Sequence, residues 1–368
     1  MIKKSLYYSL ALIIVLVFSW GCTSTEPQIN EEQKIVKEQN VYYVTYKKVE
    51  NAYYEMPPEM TDIEARNKEV NEFAPYLRGK KIFIDPGHGG DDRKNKSYTG
   101  KIIEADVNLR VSLYLRDFLV QAGATVYMSR ISDQTVDLKY RSTMANKNKI
   151  DLFISVHHNA VPNITRSWMN YTSTYYHAKP ENWEYEPCEK DVAKFIQRDL
   201  AFFMGNSGGL GSFDGTYSDY EIYPGEGFSV LRETIAPAVL VECAFHTNSM
   251  EEARLGVEEF NQLQAWGIFR GLGRYYRAGI PTIEYSNQTT PKKGIVEFQF
   301  RLSDMNGILP KTIEVFFDST LVPHTFLPEL DQLKFSVAAP LGEHEIRIIV
   351  ANKNGNYALP YYKKVIIN

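Results

Sequence analysis

Hydrophobic and polar positions change their period several times along this chain. An apolar run, Leu10–Phe18, stands first, between Lys3-Lys4 and Ser19-Trp20-Gly21-Cys22. Thr23–Asn40 has no apolar period and is rich in Glu, Gln, Lys and Asn, the pattern of a flexible tether. Val41–Arg78 is mixed and carries no functional signal. From Gly79 to Arg277 short apolar runs alternate with helical periods. Lys81–Ile84, Ala124–Met128, Asp151–Val156, Thr172–His177 and Ala238–Glu242 read as strands. Glu104–Ala122, Val136–Lys149, Glu189–Met204 and Val257–Tyr276 read as helices, and Gly123 stops the first of them. Asp151–Val156 is apolar almost throughout, as a strand covered on both faces must be. This alternation predicts an α/β fold with a mostly parallel sheet flanked by helices. Ala278–Gly294 reads as a linker. Beyond it the period becomes two: Val296, Phe298, Phe300 and Leu302 alternate with Glu297, Gln299 and Arg301, and three further runs repeat the pattern. Turn residues at Asn306-Gly307, Asp318-Ser319 and Asn354-Gly355 separate them, which predicts a small all-β immunoglobulin-like sandwich. The expected divisions are 1–22, 23–78, 79–278, 279–293 and 294–368.

Composition adds little. The 368 residues are 44% hydrophobic and 23% charged, with a net charge of -4, and this balance gives no sign of a nucleic-acid surface. The three cysteines, Cys22, Cys188 and Cys243, have no thiolate metal spacing. Cys188 and Cys243 read as free thiols, with Cys243 buried in a strand; their pairing is not decidable from sequence.

Chemistry concentrates where strands end. Lys81-Ile82-Phe83-Ile84 is stopped by Pro86, and Gly87, Gly89 and Gly90 surround His88 in a tight turn. His157 follows Phe153-Ile154-Ser155-Val156, and Val239-Leu240-Val241 ends in Glu242. Glu104 opens the first long helix. Ligands of open α/β sheets bind at the carboxyl ends of parallel strands, so His88, His157 and Glu242 arrive at one edge if these strands are parallel. Two imidazoles and a carboxylate leave a fourth position open, as catalytic zinc requires. A further carboxylate beside them suits proton transfer, and one in an apolar strand is costly unless paired, metal-linked or working. His158 points away from His157 and reads as a core residue or a support beside the ligands. Asn159 and His177 are expected to line the cleft, and His246 to be a loop residue.

These stretches resemble the zinc-dependent N-acetylmuramoyl-L-alanine amidases of the Amidase_3 type. The matching segments are IDPGHGG at Ile84–Gly90, EADVNL at Glu104–Leu109, SVHHNA at Ser155–Ala160 and VLRETIAPAVLVECAFHTN at Val230–Asn248. VYMSR at Val126–Arg130 and LKYRSTMAN at Leu138–Asn146 match more weakly. The resemblance implies that His88, Glu104 and His157 hold one zinc ion and that Glu242 is the catalytic acid/base. It implies that the substrate is peptidoglycan, cut between N-acetylmuramic acid and L-alanine. Met1–Cys22 likewise resembles a bacterial lipoprotein signal, with Cys22 the lipidated residue and Trp20 a departure from the usual small residue. That implies a lipid-anchored protein of the cell envelope, outside the cytoplasm. Whether an activator protein is needed stays open. So do two other readings: a zinc peptidase of different bond specificity and a non-catalytic wall-binding lipoprotein. The long acidic connection Gly211–Gly227, and Ala244 and His246 in place of the family's usual Gly and Leu, depart from the pattern. The connection reads as a surface loop, with a lid as the alternative.

Overall fold

The computed structural model describes residues 45–49, 52–162, 167–206, 208, 214–289 and 294–368. The segments read as signal and tether, Cys22 included, lie outside the described residues, as do 211–213 of the acidic connection and 290–293 of the linker.

Strands β1 (Thr45–Val49) and β2 (Ala52–Met56) form an antiparallel hairpin. Helix α1 (Ile63–Leu77) follows, its N-terminus capped by the Asp62 carboxylate, which accepts from the Glu64 amide. It buries Val70, Phe73 and Leu77 in the main core. In the stretch without functional signal, Tyr54 and Met56 of β2 and the buried face of α1 thus belong to the main core.

The α/β domain holds a six-stranded sheet in the order β4-β3-β5-β8-β6-β7. Its strands are β3 (Lys81–Pro86), β4 (Thr125–Met128), β5 (Leu152–Asn159), β6 (Ser173–Tyr176), β7 (Thr216–Ser218) and β8 (Ala238–Phe245). β4, β3, β5 and β8 run parallel, while β6 is antiparallel to β8. Side chains alternate between the sheet's two covered faces. Ile82, Ile84, Ile154, Val156, Val239 and Val241 join one core with α2 (Glu104–Gln121), α4 (Pro187–Met204) and α6 (Glu258–Arg277). Phe83, Phe153 and Leu240 join another with α3 (Leu138–Asn148). Between β8 and α6 lies α5 (Ser249–Leu255), whose N-cap Asn248 accepts from two backbone amides. Cys188 and Cys243 are free and buried.

The C-terminal all-β region has two four-stranded antiparallel sheets, β13-β14-β10-β9 and β12-β11-β15-β16. Its strands are β9 (Thr282–Gln288), β10 (Ile295–Ser303), β11 (Glu314–Phe317), β12 (Thr320–Leu321), β13 (His324–Leu327), β14 (Gln332–Ala338), β15 (Gly342–Ile349) and β16 (Tyr362–Ile367). Val296, Phe298, Phe300, Val315, Phe335 and Ile346 share one apolar cluster between them. β9 corrects the linker reading. Only Ile283 and Tyr285 of this edge strand turn toward the cluster, too short an alternation to stand out beside Pro281 and Asn287.

The junction between the two is polar and well bonded. Arg347, 4% exposed, donates to the Trp183 and Tyr185 carbonyls and to Glu186. Asn356 Nδ2 donates to the Gly279 carbonyl at 2.7 Å, and Asn352 Nδ2 to that of Ala278 at 2.9 Å.

Candidate metal and catalytic site

The parallel run of β3, β5 and β8 delivers their carboxyl ends to one edge. His157 on β5 stands opposite Glu242 on β8 in register, so the two side chains share a face. His88 follows β3 by two residues, and Glu104 is the first residue of α2. Ligand atoms of His88, Glu104 and His157 all lie within 4.8 Å of one another. Glu104, 2% exposed, is the hub. Its Oε2 lies 3.2 Å from His88 Nε2 and its Oε1 3.1 Å from His157 Nδ1.

The backbone around His88 is held in place. His88 takes a left-handed φ of 60°, uncommon for a residue with a side chain. Two buried arginines secure it. Arg130 donates to the Pro86 and Gly87 carbonyls at 3.0 and 2.8 Å; Arg141 donates to those of Pro86 and His88 at 2.8 and 3.0 Å. Arg141 also pairs with buried Asp85 at 2.6 Å. Gly87 is needed for close approach: a Cβ there would stand 2.2 Å from His157 Cε1. The His157 ring occupies the room a side chain would fill.

The electrostatics follow from these contacts. Burial works against the Glu104 charge, but hydrogen bonds to His157 and His88 outweigh it and hold the carboxyl well below its usual range. Burial pulls the His88 imidazole down, yet Glu104 on one side and Asp92 at 2.7 Å on the other raise it to about 9. Both effects describe the same thing, imidazole lone pairs and an anionic oxygen converging on one point. A divalent cation satisfies them together, and His–Glu–His suits zinc. Asp92, at the far nitrogen of His88, stands where an outer carboxylate would orient a metal-bound histidine. The donor set therefore fits a divalent metal, with the absent side chain of Gly87 making room for the His157 ring.

Glu242 is half-buried, but its Oε2 is fully buried and has no hydrogen-bond partner. Burial first, then the nearby Glu104 charge, push its carboxyl well above the ordinary range, with His88 opposing. Such a group is poised to hold and give up a proton. Asn159 ends β5 at this same edge, its carbonyl accepting from the His246 amide at 2.9 Å.

His177 is a correction. Because β6 runs against β8, Ser173 stands opposite Glu242 and Tyr176 opposite Val239. His177 therefore emerges at the far edge of the sheet, where its Nδ1 meets Asp219 Oδ2 at 2.9 Å. Residues 214–227 of the acidic connection gather there too, with Glu221 paired to Lys179 at 2.6 Å.

The structure adds residues that periodicity does not mark. His246 is fully buried, its Nε2 3.8 Å from Glu104 Oε2, and burial lowers its pKa. Asn95 Nδ2 donates to Glu104 Oε2 at 2.7 Å, and Asn108 Nδ2 to Oε1 at 3.1 Å. Asn108, Arg130 and Arg141 fall within the matching stretches, which was the available signal. Asn95 is a lone amide in a polar loop and had none.

Comparison with known proteins agrees. The family described as "N-acetylmuramoyl-L-alanine amidase" (Amidase_3) matches residues 82–274. The germination-specific N-acetylmuramoyl-L-alanine amidase of Bacillus subtilis is 32% identical over 214 residues, 54% of this chain and 81% of that protein. A probable cell wall amidase of Staphylococcus aureus is 31% identical over 219 residues, 59% of this chain and 64% of its own length. The crystal structure of an N-acetylmuramoyl-L-alanine amidase from Clostridium difficile 630 is 30% identical and covers 54% of this chain and 98% of that one, with a TM-score of 0.46. Since the family match spans just over half of the chain, the chain belongs to the N-acetylmuramoyl-L-alanine amidase family and is an enzyme of that activity.

Proposed function

We propose that this chain hydrolyses the amide between N-acetylmuramic acid and the L-alanine of the peptidoglycan stem peptide, using one zinc ion held by His88, Glu104 and His157. The observation that carries the mechanism is Glu242, whose unpartnered buried oxygen lies beside His157 in the sheet register. Zinc bound there supplies a Lewis acid that acidifies water and polarises the scissile carbonyl. Glu242 accepts the proton of the attacking water and delivers it to the departing nitrogen. Asp92, Asn95 and Asn108 keep His88 and Glu104 oriented, so no reorganisation is needed during reaction. The apolar core behind β5 and β8 excludes water from the rear of the site.

The segment Met1–Cys22 supports a lipid-anchored location outside the cytoplasm, with acylated Cys22 holding the enzyme near the wall. No helix among the described residues is long and apolar enough to cross a membrane.

The test is digestion of purified peptidoglycan by the chain lacking residues 1–22, with and without chelator, beside Glu242→Gln. Mass spectrometry is expected to find stem peptides beginning at L-alanine, absent with chelator and in the variant. Cuts elsewhere in the stem would support a zinc peptidase of other specificity. No product from a zinc-loaded protein would overturn the catalytic reading.

A further inference from the structure

His158 follows His157 directly but faces the opposite side of the sheet, between α2 and α6. It is 2% exposed. Its Nδ1 lies 2.7 Å from Asn108 Oδ1 and its Nε2 3.3 Å from Gln264 Oε1. Asn108 and Gln264 are themselves fully buried. A neutral imidazole has one N–H, so it cannot donate to both amide oxygens. An imidazolium could, but a buried cation with only neutral amides at its two nitrogens is costly.

Asn108 decides which nitrogen holds the proton. Its Nδ2 is committed to Glu104 Oε1 at 3.1 Å and to the Gly87 carbonyl at 3.3 Å. Both are acceptors, so its Oδ1 must accept in turn, and His158 Nδ1 carries the hydrogen. His158 Nε2 is then a lone pair facing Gln264. The Gln264 Nε2 group is buried with no hydrogen-bond partner. Turned by half a rotation about its last bond, the Gln264 amide donates to that lone pair, so the two facing acceptors are parted and the Nε2 group gains a partner.

We propose that Gln264, His158 and Asn108 form a one-way hydrogen-bond relay that fixes the Glu104 carboxylate in the orientation required of a metal ligand, with His158 as its central positioning residue. The proposal rests on the reading of Glu104 as a zinc ligand. Every bond in the relay points the same way: Gln264 N–H to His158, His158 Nδ1–H to Asn108, Asn108 N–H to Glu104. Such chains polarise one another, each donor strengthened by the bond it accepts. The relay reaches from α6 through β5 to α2, so three elements set one carboxylate. Without the imidazole, the Asn108 amide is free to turn its oxygen toward Glu104, which exchanges a donor for a repulsion.

The test uses the full chain in detergent micelles and measures zinc affinity by competition with a chromophoric chelator. His158→Leu keeps apolar volume and removes the relay; zinc affinity is expected to fall about ten- to a hundredfold. His158→Gln offers an N–H to Asn108 and an oxygen to Gln264, and is expected to restore most of that loss. A merely structural histidine would lower the melting temperature of both variants without this split in zinc affinity. Should His158→Leu not fold, Gln264→Leu reads the relay from its far end, with a smaller loss expected. In ¹⁵N-histidine NMR spectra of the wild type, His158 is expected as the Nδ1–H tautomer. An Nε2–H tautomer, or wild-type zinc affinity in the Leu variants, would overturn the relay. Glu104→Ala is the control: if it binds zinc as tightly as wild type, the metal-site reading fails first, and the relay with it.

Discussion

The two edges of the central sheet carry the same residue types and do different work. At the carboxyl edge, His88 and His157 converge on Glu104. At the other, His177 meets Asp219, with Glu184 at 3.5 Å from its second nitrogen and Glu189 beneath. What differs is how many imidazoles meet at each. Asp219 accepts from the amides of Ala178 and Phe228 as well as from His177. Glu189 accepts the Ala238 and His177 amides, one at each oxygen. Those carboxylates are consumed in tying β6, β8 and the acidic connection together. At the carboxyl edge Glu104 also accepts a backbone amide, that of His158 at 3.1 Å, but two imidazoles converge on it. A second imidazole within reach of the same carboxylate makes one edge a candidate metal site and leaves the other an ion pair.

The largest way to break this comparison is to remove one histidine from each edge. His157→Ala is expected to abolish zinc binding and lower kcat on purified peptidoglycan by about a thousandfold or more. His177→Ala is expected to leave both within about threefold while costing about 1–2 kcal/mol of stability through the hydrogen bond lost at Asp219. Zinc titration and urea denaturation of both proteins read the contrast, and a large zinc loss in His177→Ala would erase it. A smaller effect isolates geometry from ligand identity. Gly87→Ala keeps every ligand but places a methyl 2.2 Å from His157 Cε1. Zinc affinity measured by chelator competition is expected to fall about tenfold or more. Unchanged affinity would mean the ring has room to retreat. The smallest effect concerns the far edge. Burial holds the Glu189 carboxyl well above its ordinary range, against the two amides it accepts. The folded state therefore keeps a proton that the unfolded chain releases near pH 4–5. Its stabilising contribution is complete below that pH and is lost as pH rises toward the folded pKa. Glu189→Gln removes this dependence, so the stability gap between wild type and variant is expected to narrow from pH 5 to pH 8. Urea midpoints at the two pH values check it; a constant gap would contradict the assignment.

The legible parts of the sequence were those with strong periods or with chemistry at a strand end. Ile82–Ile84, Phe153–Val156 and Val239–Val241 announced a buried sheet because every position but Ser155 is apolar; His157 and Glu242 stood out as the polar residues that end two of those runs, and His88 as the one histidine of the Gly-rich turn after the third. Strand direction was not legible. Nothing in Thr172–His177 says that it runs against β8, so His177 was read at the wrong edge. β9 was lost because two apolar residues make no alternation. Arg130 and Arg141 look like surface residues in an amphipathic pattern, yet both are at most 5% exposed, since their partners are carbonyls of a distant loop. His246 is the loop residue it was read as, but its burial was not legible, because periodicity does not report the burial of irregular segments.

The two-arginine clamp on Pro86, Gly87 and His88 also sets the order of assembly. Small metalloproteins often obtain their shape from the metal, so stripping it unfolds them. Here the carbonyls that fix the His88 turn are held by guanidinium groups, and the ligand histidines are seated by the chain itself. Folding is therefore expected to be complete without a cation, whose binding would add stability by mass action. Loss of metal is then a reversible pause in activity, repaired by any later encounter with the ion.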